Sequence, residues 1–382
     1  MTVEDGATMP GALDGVTVLD FSRILAGPYA TMMLADLGAT VVKVERAGVG
    51  DETRAWGPPF DATGTSTYFT SVNRNKSSLA VDLRDPAQLV ELRERVAESD
   101  VVVENFRAGA MERLGLGYDD LRAIRPDIVY CSITGFGGGG GAALPGFDLL
   151  VQAVGGLMSI TGTRPGEPTK TGVALVDVVT GLHASTGILA ALFHRARTGE
   201  GQRIEVNLLS SLLSALVNQA SGFVGAGVVP GIIGNAHPSI APYETFATAD
   251  RPLVVAVGTD GQFRAFARAI DRPELADDER FRTNTRRVAN RAELNALIGP
   301  VLAASSADEW FARMAADDVP AGPINTIAEA FAFAETLGLA PVVDVEGSPQ
   351  VASPITLSAT PVRYRSRPPG LGLPAPDRPA PH

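Results

Sequence analysis

The sequence predicts an α/β protein with a large, Rossmann-like parallel-sheet domain and a smaller α+β domain. Between residues 10 and 221, short apolar strand patterns alternate with helical patterns. That alternation builds a parallel sheet covered by crossover helices. The chain has 382 residues, which is enough for two domains. Between residues 241 and 325 a strand pattern is followed by helical patterns, which favours a separate α+β domain.

The first βαβ unit begins with an apolar strand pattern at residues 15–20. A helical pattern follows at residues 28–37 and ends at Gly38, and a second strand pattern covers residues 39–45. The loop at residues 21–28 follows the carboxyl end of the first strand, where open α/β sheets usually bind ligands. This loop has no G-x-G-x-x-G motif, so a dinucleotide site is not indicated.

The sheet continues with further strand patterns separated by helical patterns. These are strands at residues 78–83, 100–104, 127–133 and 202–206 and helices at residues 118–124, 145–155, 181–194 and 208–217. Asp85 and Pro86 are a favourable N-cap and first residue for a helix that reaches residue 97. The strand at residues 100–104 delivers Asn105 and Phe106 at its carboxyl end, again where a ligand would lie.

Asp177 is a carboxylate in an apolar run, with VALV before it and VV after it. Burying a carboxylate there is costly unless it is paired or hydrogen-bonded. One interpretation is that Asp177 caps the helix that follows, since Asp is a preferred N-cap residue. The other is a nucleophile or base at the helix N-terminus, where the dipole favours a carboxylate and free backbone N–H groups can bind a developing oxyanion. The two interpretations are compatible, and the residue type leaves both open.

The second half of the chain predicts a linker, a small domain and a returning segment. Residues 222–240 include a Gly/Val-rich stretch and predict a linker and an active-site loop. The small domain has a strand at residues 253–258 and helices at residues 261–270, 291–304 and 307–315. Ser306 and Glu309 have the spacing of a capping box for the last of these helices. Residues 326–365 are expected to complete the large domain, and the Pro-rich tail at residues 366–382 is expected to be partly disordered.

Composition disfavours several classes of function. The net charge is −11 and no basic block occurs, so no nucleic-acid partner is expected. The single cysteine, Cys131, fits a core position and a reducing compartment, so a cytoplasmic location is expected. The four histidines do not cluster at metal-ligand spacing, so no metal site is expected. The N-terminus lacks a signal pattern, and no apolar run approaches the length that spans a bilayer, so no membrane partner is expected.

Residues 170–207 resemble the signature segment of the family III CoA-transferases, which include formyl-CoA:oxalate, carnitine and succinyl-CoA-dependent dicarboxylate CoA-transferases. In that family the covalent nucleophile is an Asp before a small-residue helix, and a TG-x-G-Q strand entry follows the helix. Asp177 and the run TGEGQ at residues 198–202 match that pattern. The resemblance extends to DFSRILAGPYATMMLADLGATVVKVE, GDETR, NRNK and VENF, and runs from about residue 15 to about residue 364.

The resemblance also implies a set of residues that contact CoA. By position in the family pattern these are Ile24, Ala26, Arg46, Val81, Arg84, Asn105, Phe106 and Arg113. The three arginines would neutralise the phosphates of CoA, and the apolar residues would hold adenine and pantetheine. Each arginine taken alone is interpreted as a solvent-exposed residue at the end of a helix or strand. The prediction of a CoA site therefore depends on all eight residues together.

A second set of residues is implied to contact the acid. Residues 234–243, which include Gly234, Asn235 and His237, resemble the mobile active-site loop of dicarboxylate-type family members. His237 is expected to orient a substrate carboxylate, the alternative being a loop histidine without function. Leu25 stands where the oxalate-using branch has Gln, which disfavours oxalate as the acid.

The resemblance implies a CoA-transferase that moves CoA from an acyl-CoA donor to a small carboxylic, dicarboxylic-type acid, with succinyl-CoA as one candidate donor. The reaction would pass through an aspartyl-CoA thioester, with no cofactor besides the CoA thioester substrate, in an interlocked homodimer. One alternative is an enzyme resembling the 2-methylacyl-CoA racemases, which is disfavoured because Phe147 precedes Asp148 where those enzymes have His. The other is a non-catalytic CoA-binding paralogue, which Asp177 disfavours.

Overall fold

The computed structural model describes residues 10–372 of the chain. The strands are β1 Thr17–Asp20, β2 Thr40–Arg46, β3 Lys76–Val81, β4 Val101–Glu104, β5 Val129–Thr134, β6 Arg203–Asn207, β7 Tyr243–Phe246, β8 Leu253–Ala256, β9 Ala321–Pro323, β10 Val342–Val345 and β11 Ser348–Val351. The helices are α1 Ala26–Asp36, α2 Thr67–Thr70, α3 Pro86–Ala97, α4 Ala110–Arg113, α5 Tyr118–Ile124, α6 Asp148–Val154, α7 Leu157–Ile160, α8 Leu175–Thr198, α9 Leu208–Ala215, α10 Val217–Ala226, α11 Asp260–Ala269, α12 Asn284–Ala289, α13 Arg291–Leu302, α14 Ala307–Ala316 and α15 Ile327–Thr336.

A parallel sheet carries the first part of the fold. In the described part of the chain it has six strands in the order β3-β2-β1-β4-β5-β6. Val101, Val102 and Val103 of β4 have no exposed surface, as expected for a parallel strand covered on both faces. The alternating pattern in the sequence therefore predicted the parallel sheet correctly. The strand order reverses between β1 and β4, and ligands bind at the carboxyl side of such a point.

Helices α1 and α8 pack against each other and against the sheet. Gly181 permits this approach, because a Cβ there would lie 2.7 Å from Ala26 O. Ala184, Ile188 and Ala191 of α8 are fully buried in the same core. α8 is long and apolar enough to cross a bilayer by length and composition, which corrects the expectation that no apolar run has that length. Its small-residue face is instead part of the core.

The chain forms two compact units. Within the described residues, the first unit contains residues 10–157, Thr171–Val228 and 340–372, and the second contains Met158–Lys170 and Val229–Leu339. The linker predicted from residue 222 therefore begins too early, because α10 continues to Ala226. Gly227, with φ of 69°, ends that helix, since a left-handed residue after a helix is the usual glycine stop.

The second unit contains an antiparallel sheet of β7, β8 and β9 packed with helices around a separate core. Phe263, Phe266 and Trp310 belong to this core. The predicted capping box is confirmed: Ser306 Oγ accepts from Glu309 N at 3.3 Å, and Glu309 Oε2 accepts from Ser306 N at 3.1 Å. The expected α+β character of this part of the chain is thus observed.

The C-terminal segment differs from the prediction at both of its ends. Helix α15 groups with the second unit, and residues 340–372 group with the first. Ser366, where a partly disordered tail was expected to begin, is buried and hydrogen-bonded to Asn75, with Asn75 N donating to Ser366 O at 2.9 Å. The rest of the predicted tail, residues 373–382, lies outside the described residues.

Candidate active site

A cleft of about 450 Å³ opens at the carboxyl edge of the parallel sheet, beside the point where the strand order reverses. The residues that line it are Arg23, Ile24, Leu25, Ala26, Glu52, Trp56, Asn105, Phe106, Arg107, Ala108, Ile133, Thr134, Gly135, Phe136, Gly137, Gly141, Ala142, Leu144, Pro145, Gly146, Phe147, Asp148, Asp177 and Leu208. All of them belong to the first unit. The cleft therefore lies where a doubly wound sheet is expected to bind a ligand.

The segments that follow β1 and β4 are joined at one wall of the cleft. Asn105 Oδ1 accepts a hydrogen bond from Arg23 N at 2.9 Å, and Asn105 Nδ2 donates to Arg23 O at 2.7 Å. The Arg23 guanidinium lies 4.9 Å from the centroid of the Phe106 ring and forms an ion pair with Glu52 at 2.6 Å. These contacts fix the neighbouring backbones relative to each other and place an arginine beside the cleft.

Asp177 lines the cleft from the first turn of α8. The helix begins at Leu175 with Ala174 at the N-cap, so Asp177 is the third helical residue. The interpretation of Asp177 as the N-cap is therefore wrong, and so is the predicted start of the helix at residue 181. Leu175 and Val176 thus belong to the helix, and a side chain from elsewhere in the chain accepts from its first N–H groups.

That side chain is Asp148, which is 28 residues before Val176 and begins α6. Its Oδ2 accepts from Val176 N at 2.8 Å and from Asp177 N at 3.2 Å. Gln152 Nε2 donates to Asp148 Oδ1 at 2.5 Å, and Gln152 Oε1 accepts from Thr171 N at 2.9 Å. Asp148 is thus held by Gln152 and stabilises the N-terminus of α8 in place of a local cap.

The N-terminal N–H groups of α8 are not free to bind an oxyanion. Those of Val176 and Asp177 donate to Asp148, and those of Leu175 and Val178 donate to backbone carbonyls at 2.8 Å and 3.1 Å. The prediction of free donors at this helix end is therefore wrong. Arg23 and Arg107 on the cleft wall carry positive charge that can stabilise a developing negative charge.

The carboxyl of Asp177 has an unusual proton affinity. Burial, followed by the negative charge of Asp148, raises its pKa from 3.8 to about 7. Its side chain accepts no hydrogen bond from a residue in the described range 10–372. A carboxyl with such a pKa at a cleft is a functional-site candidate, because structural carboxylates are usually paired. At slightly alkaline pH the Asp177 carboxyl is therefore ionised, and no hydrogen bond from residues 10–372 lowers its nucleophilicity.

Trp56 and Tyr68 form an aromatic pair next to these carboxylates. Their ring centroids are 5.1 Å apart in an edge-to-face arrangement. Burial, followed by the charges of Asp177 and Asp148, raises the pKa of Tyr68 to about 12. Tyr68 therefore stays a neutral phenol at neutral pH and is not a competing nucleophile.

The predicted site residues fall into three groups in the structure. Those that line the cleft are Ile24, Leu25, Ala26, Asn105, Phe106 and Asp177. Those outside the cleft lining, in segments at or after the carboxyl ends of β2, β3 and β4, are Arg46, Val81, Arg84 and Arg113. Those in the second unit are Gly234, Asn235 and His237. Within the second group, Arg84 is exposed and paired with Asp82 at 2.9 Å, and Val81 is buried in the sheet.

Sequence reasoning missed several residues of the cleft. Arg23, Trp56 and Arg107 line it but were not singled out. The signal for both arginines was present, because each follows a strand that ends at the ligand edge of the sheet. Trp56 had no such signal, since it follows a short 3₁₀ turn at Glu52–Ala55 rather than a strand.

The comparisons with known proteins agree on one family. The family model for CoA-transferase family III matches residues 13–373. A succinate–glutarate CoA-transferase of Agrobacterium fabrum is 43% identical over 94% of this chain and 93% of its own length. The human succinyl-CoA:glutarate CoA-transferase is 43% identical over 94% of this chain and 83% of its own length. A crystal structure of a CAIB/BAIF family protein from Brucella suis is 44% identical, with a TM-score of 0.86 over 95% of this chain and 97% of that one. The chain therefore belongs to CoA-transferase family III and is an enzyme of that family.

Proposed function

We propose that this enzyme transfers CoA from an acyl-CoA donor, with succinyl-CoA as the first candidate, to a dicarboxylic acid through an aspartyl-CoA thioester on Asp177. The observation that supports it most directly is the Asp177 carboxyl, which faces the cleft without a hydrogen-bonding partner among residues 10–372 and has a raised pKa. The names of the relatives support the class of acid, since both relatives described above are named for succinate or succinyl-CoA and glutarate.

The chemistry follows from what a carboxylate can do. Asp177 attacks the thioester carbonyl of the donor, the C–S bond breaks, and the products are an acyl–aspartyl anhydride and CoA thiolate. The thiolate attacks the aspartyl carbonyl, which releases the donor acid and leaves an aspartyl-CoA thioester. The acceptor carboxylate then attacks that thioester to form a second anhydride and thiolate. The thiolate finally attacks the acceptor acyl carbon, which gives the new acyl-CoA and restores Asp177. A carboxylate suits these steps because it is both nucleophile and leaving group.

CoA is proposed to bind along the carboxyl edge of the sheet. Ile24, Ala26, Asn105 and Phe106 would contact it in the cleft. Arg46, Arg84 and Arg113 would neutralise its phosphates from the segments beyond the cleft. The ion pair between Arg84 and Asp82 would then exchange for a phosphate contact, which is feasible because the Arg84 side chain is 82% exposed.

The loop at residues 234–243 of the second unit is proposed to bind the acid. His237 Nδ1 accepts a hydrogen bond from Ser239 N at 3.1 Å, so the neutral ring carries its proton on Nε2 and can donate it to a carboxylate. Arg291 holds the loop backbone through His237 O at 2.5 Å and Ile240 O at 3.0 Å. The loop histidine is therefore fixed in one tautomer.

The proposal is tested by offering succinyl-CoA together with single acids and following new acyl-CoA by mass spectrometry. We expect transfer to glutarate and related C4 to C6 dicarboxylic or hydroxydicarboxylic acids, and poor transfer to oxalate. Efficient transfer to oxalate with none to the longer acids would contradict the acceptor class. Scrambling of carbon 2 in a 2-methylacyl-CoA without acyl exchange would indicate the racemase alternative. Binding of CoA without either reaction would indicate a non-catalytic paralogue.

We also propose that two copies of the chain form a homodimer that does not dissociate on dilution, as interlocked chains would not. Large apolar side chains of the first unit are exposed in the single chain, including Phe193, Val217, Phe223 and Val224, the last at 83%. Apolar surface of this extent usually marks an interface. Sedimentation velocity should give one dimeric species at all protein concentrations, and a monomer that appears at micromolar dilution would contradict interlocking.

A further inference from the structure

One residue of the cleft wall has a backbone conformation that costs energy. Ile24 has φ of 71°, in the left-handed region that β-branched residues rarely adopt. The residue lines the cleft beside Arg23 and Leu25. A strained residue persists only where its surroundings hold it in place, and such residues concentrate at functional sites. The contacts that hold Ile24 therefore bear on the shape of the cleft.

Asp51 holds the backbone of Ile24 from behind. Its Oδ2 accepts a hydrogen bond from Ile24 N at 3.2 Å, and its Oδ1 accepts from Thr53 N at 2.9 Å and Thr53 Oγ1 at 2.8 Å. The Asp51 side chain is fully buried and is not among the residues that line the cleft. Asp51 can therefore affect a ligand through Ile24 and its neighbours, and through the turn Glu52–Ala55 that it caps, because Glu52 and Trp56 line the cleft.

Lys43 completes the support. Its Nζ lies 2.9 Å from Asp51 Oδ2, with both side chains fully buried, and donates to Ser22 O at 2.8 Å. Burial acts to raise the pKa of Asp51, but the Lys43 ammonium and the hydrogen bonds from Thr53 outweigh it and hold the pKa below 3.8. The ion pair thus holds the loop at Ser22 O and Ile24 N, on either side of Arg23.

We propose that the buried pair of Lys43 and Asp51 positions the acyl-CoA substrate by holding the cleft wall at residues 23–25 in its binding shape. This inference rests on the proposed function of the cleft and adds two positioning residues that do not touch the substrate. Breaking the pair releases the strained backbone of Ile24, and the wall then relaxes away from the shape that fits the thioester. The effect falls on substrate affinity more than on the chemical step, because Asp177 is supported by separate contacts to Asp148.

The first unit contains a matched control pair. Arg74 Nη2 lies 2.6 Å from Asp36 Oδ2, and the two side chains are 4% and 3% exposed. Neither residue lines the cleft. Asp36→Asn therefore removes the charge of a buried, ion-paired carboxylate without touching the wall, and reports the purely structural cost of such a change.

The experiment compares Asp51→Asn with Asp36→Asn in the full-length enzyme. We expect both variants to unfold at lower urea concentration than wild type. Only Asp51→Asn should raise the dissociation constant for CoA in calorimetry, and the KM for acyl-CoA, by roughly tenfold or more. The amide keeps one oxygen for Ile24, Thr53 and Lys43, so at least one of these buried donors loses its acceptor. Its kcat should change by less than about threefold. Equal CoA affinity in the two variants would overturn the proposal.

A second variant separates positioning from folding. Lys43→Met combined with Asp51→Leu removes both charges, and replacing a buried ion pair by apolar residues is often neutral or stabilising. We expect the double variant to be at least as stable as Asp51→Asn, because it holds no unpaired buried charge. Its CoA affinity should be as low as that of Asp51→Asn, because Ile24 N has no acceptor. Restored affinity would show that the pair serves folding alone. Failure of the proposed function can be told apart from failure of this inference. If the wild-type enzyme transfers CoA to no acid, the dissociation constants for CoA can still be compared between the variants.

Discussion

Asp177→Asn is expected to lower CoA transfer by roughly 1,000-fold or more while the protein keeps its fold and still binds CoA. A neutral amide cannot attack the thioester. The substitution removes no cap, because Ala174 is the N-cap of α8 and Asp148 accepts from its first N–H groups. Wild-type enzyme incubated with acyl-CoA and no acid should accumulate an adduct that hydroxylamine traps, and peptide mass mapping should place it on Asp177.

Asp120 provides a matched control for this substitution. It is also the third residue of its helix, α5, where its carboxylate accepts from Gly117 N at 3.2 Å. Asp120 does not line the cleft, so Asp120→Asn should retain transfer activity. Asp148 is not a suitable control, since it contacts the backbone of Asp177. Substantial activity in Asp177→Asn, or an adduct mapped to another acidic residue, would exclude Asp177 as the nucleophile.

The Asp177→Asn variant should be more stable than wild type at alkaline pH. The pKa of Asp177 is raised by the fold, so the folded protein holds its proton more tightly than the unfolded chain. Stability contributed by the wild-type carboxyl therefore falls as pH rises from about 4 to about 7. Asn does not titrate, so above pH 7 the free energy of unfolding of Asp177→Asn should exceed that of wild type by on the order of 1–4 kcal/mol. Urea unfolding at pH 8 and pH 4 checks this, and an equal gain at both pH values would contradict it.

Asp148→Asn is expected to move the pH dependence of catalysis to lower pH. The wild-type kcat/KM for acyl-CoA should rise with pH through about 7, because the proposed nucleophile is the ionised form of Asp177 and the pKa of its carboxyl is raised to about 7. Removing the negative charge of Asp148 removes one cause of that raised pKa, so the midpoint should fall by roughly one pH unit. A phosphate group of the substrate would titrate equally in both enzymes and cancels in the comparison.

Comparing Asp148→Ala with Asp148→Asn separates the effect of the Asp148 charge from the effect of its hydrogen bonds to α8. Asp148→Ala also removes the acceptor for Val176 N and Asp177 N, and should destabilise the protein by about 1–2 kcal/mol, as the loss of a helix cap does. We expect the pH midpoint of Asp148→Ala to match that of Asp148→Asn, with lower stability. A pH midpoint that is the same in wild type and both variants would show that Asp148 does not influence the ionisation of Asp177.

The sequence was informative where structure is local. The alternation of strand and helix patterns predicted the parallel sheet, and Asp85 with Pro86 predicted the start of α3, where Asp85 accepts from Ala87 N at 2.9 Å. Such signals depend on residues a few positions apart. Residue type also identified Asp177 as unusual, because a carboxylate among valines demands an explanation.

The start of α8 could not be predicted locally. The side chain that satisfies its first N–H groups is Asp148, which is 28 residues away from Val176, and nothing near Asp177 indicates it. The support of Ile24 is equally non-local, because Lys43, Asp51 and Ser22 meet only after β1 and β2 have paired. Prediction from a single sequence favours local caps and local breaks, so it placed a cap at Asp177 and a linker at Gly222.

The segment at residues 340–372 has a consequence for the order in which the protein folds during synthesis. Arg365 donates to Ala35 O at 2.8 Å and to Ala39 O at 2.6 Å, contacts that join residues more than three hundred positions apart. A ribosome must therefore translate nearly the whole chain before these contacts at α1 and β2 can form. Until then the nascent first unit leaves that edge uncovered, since contacts between distant residues form late and slowly.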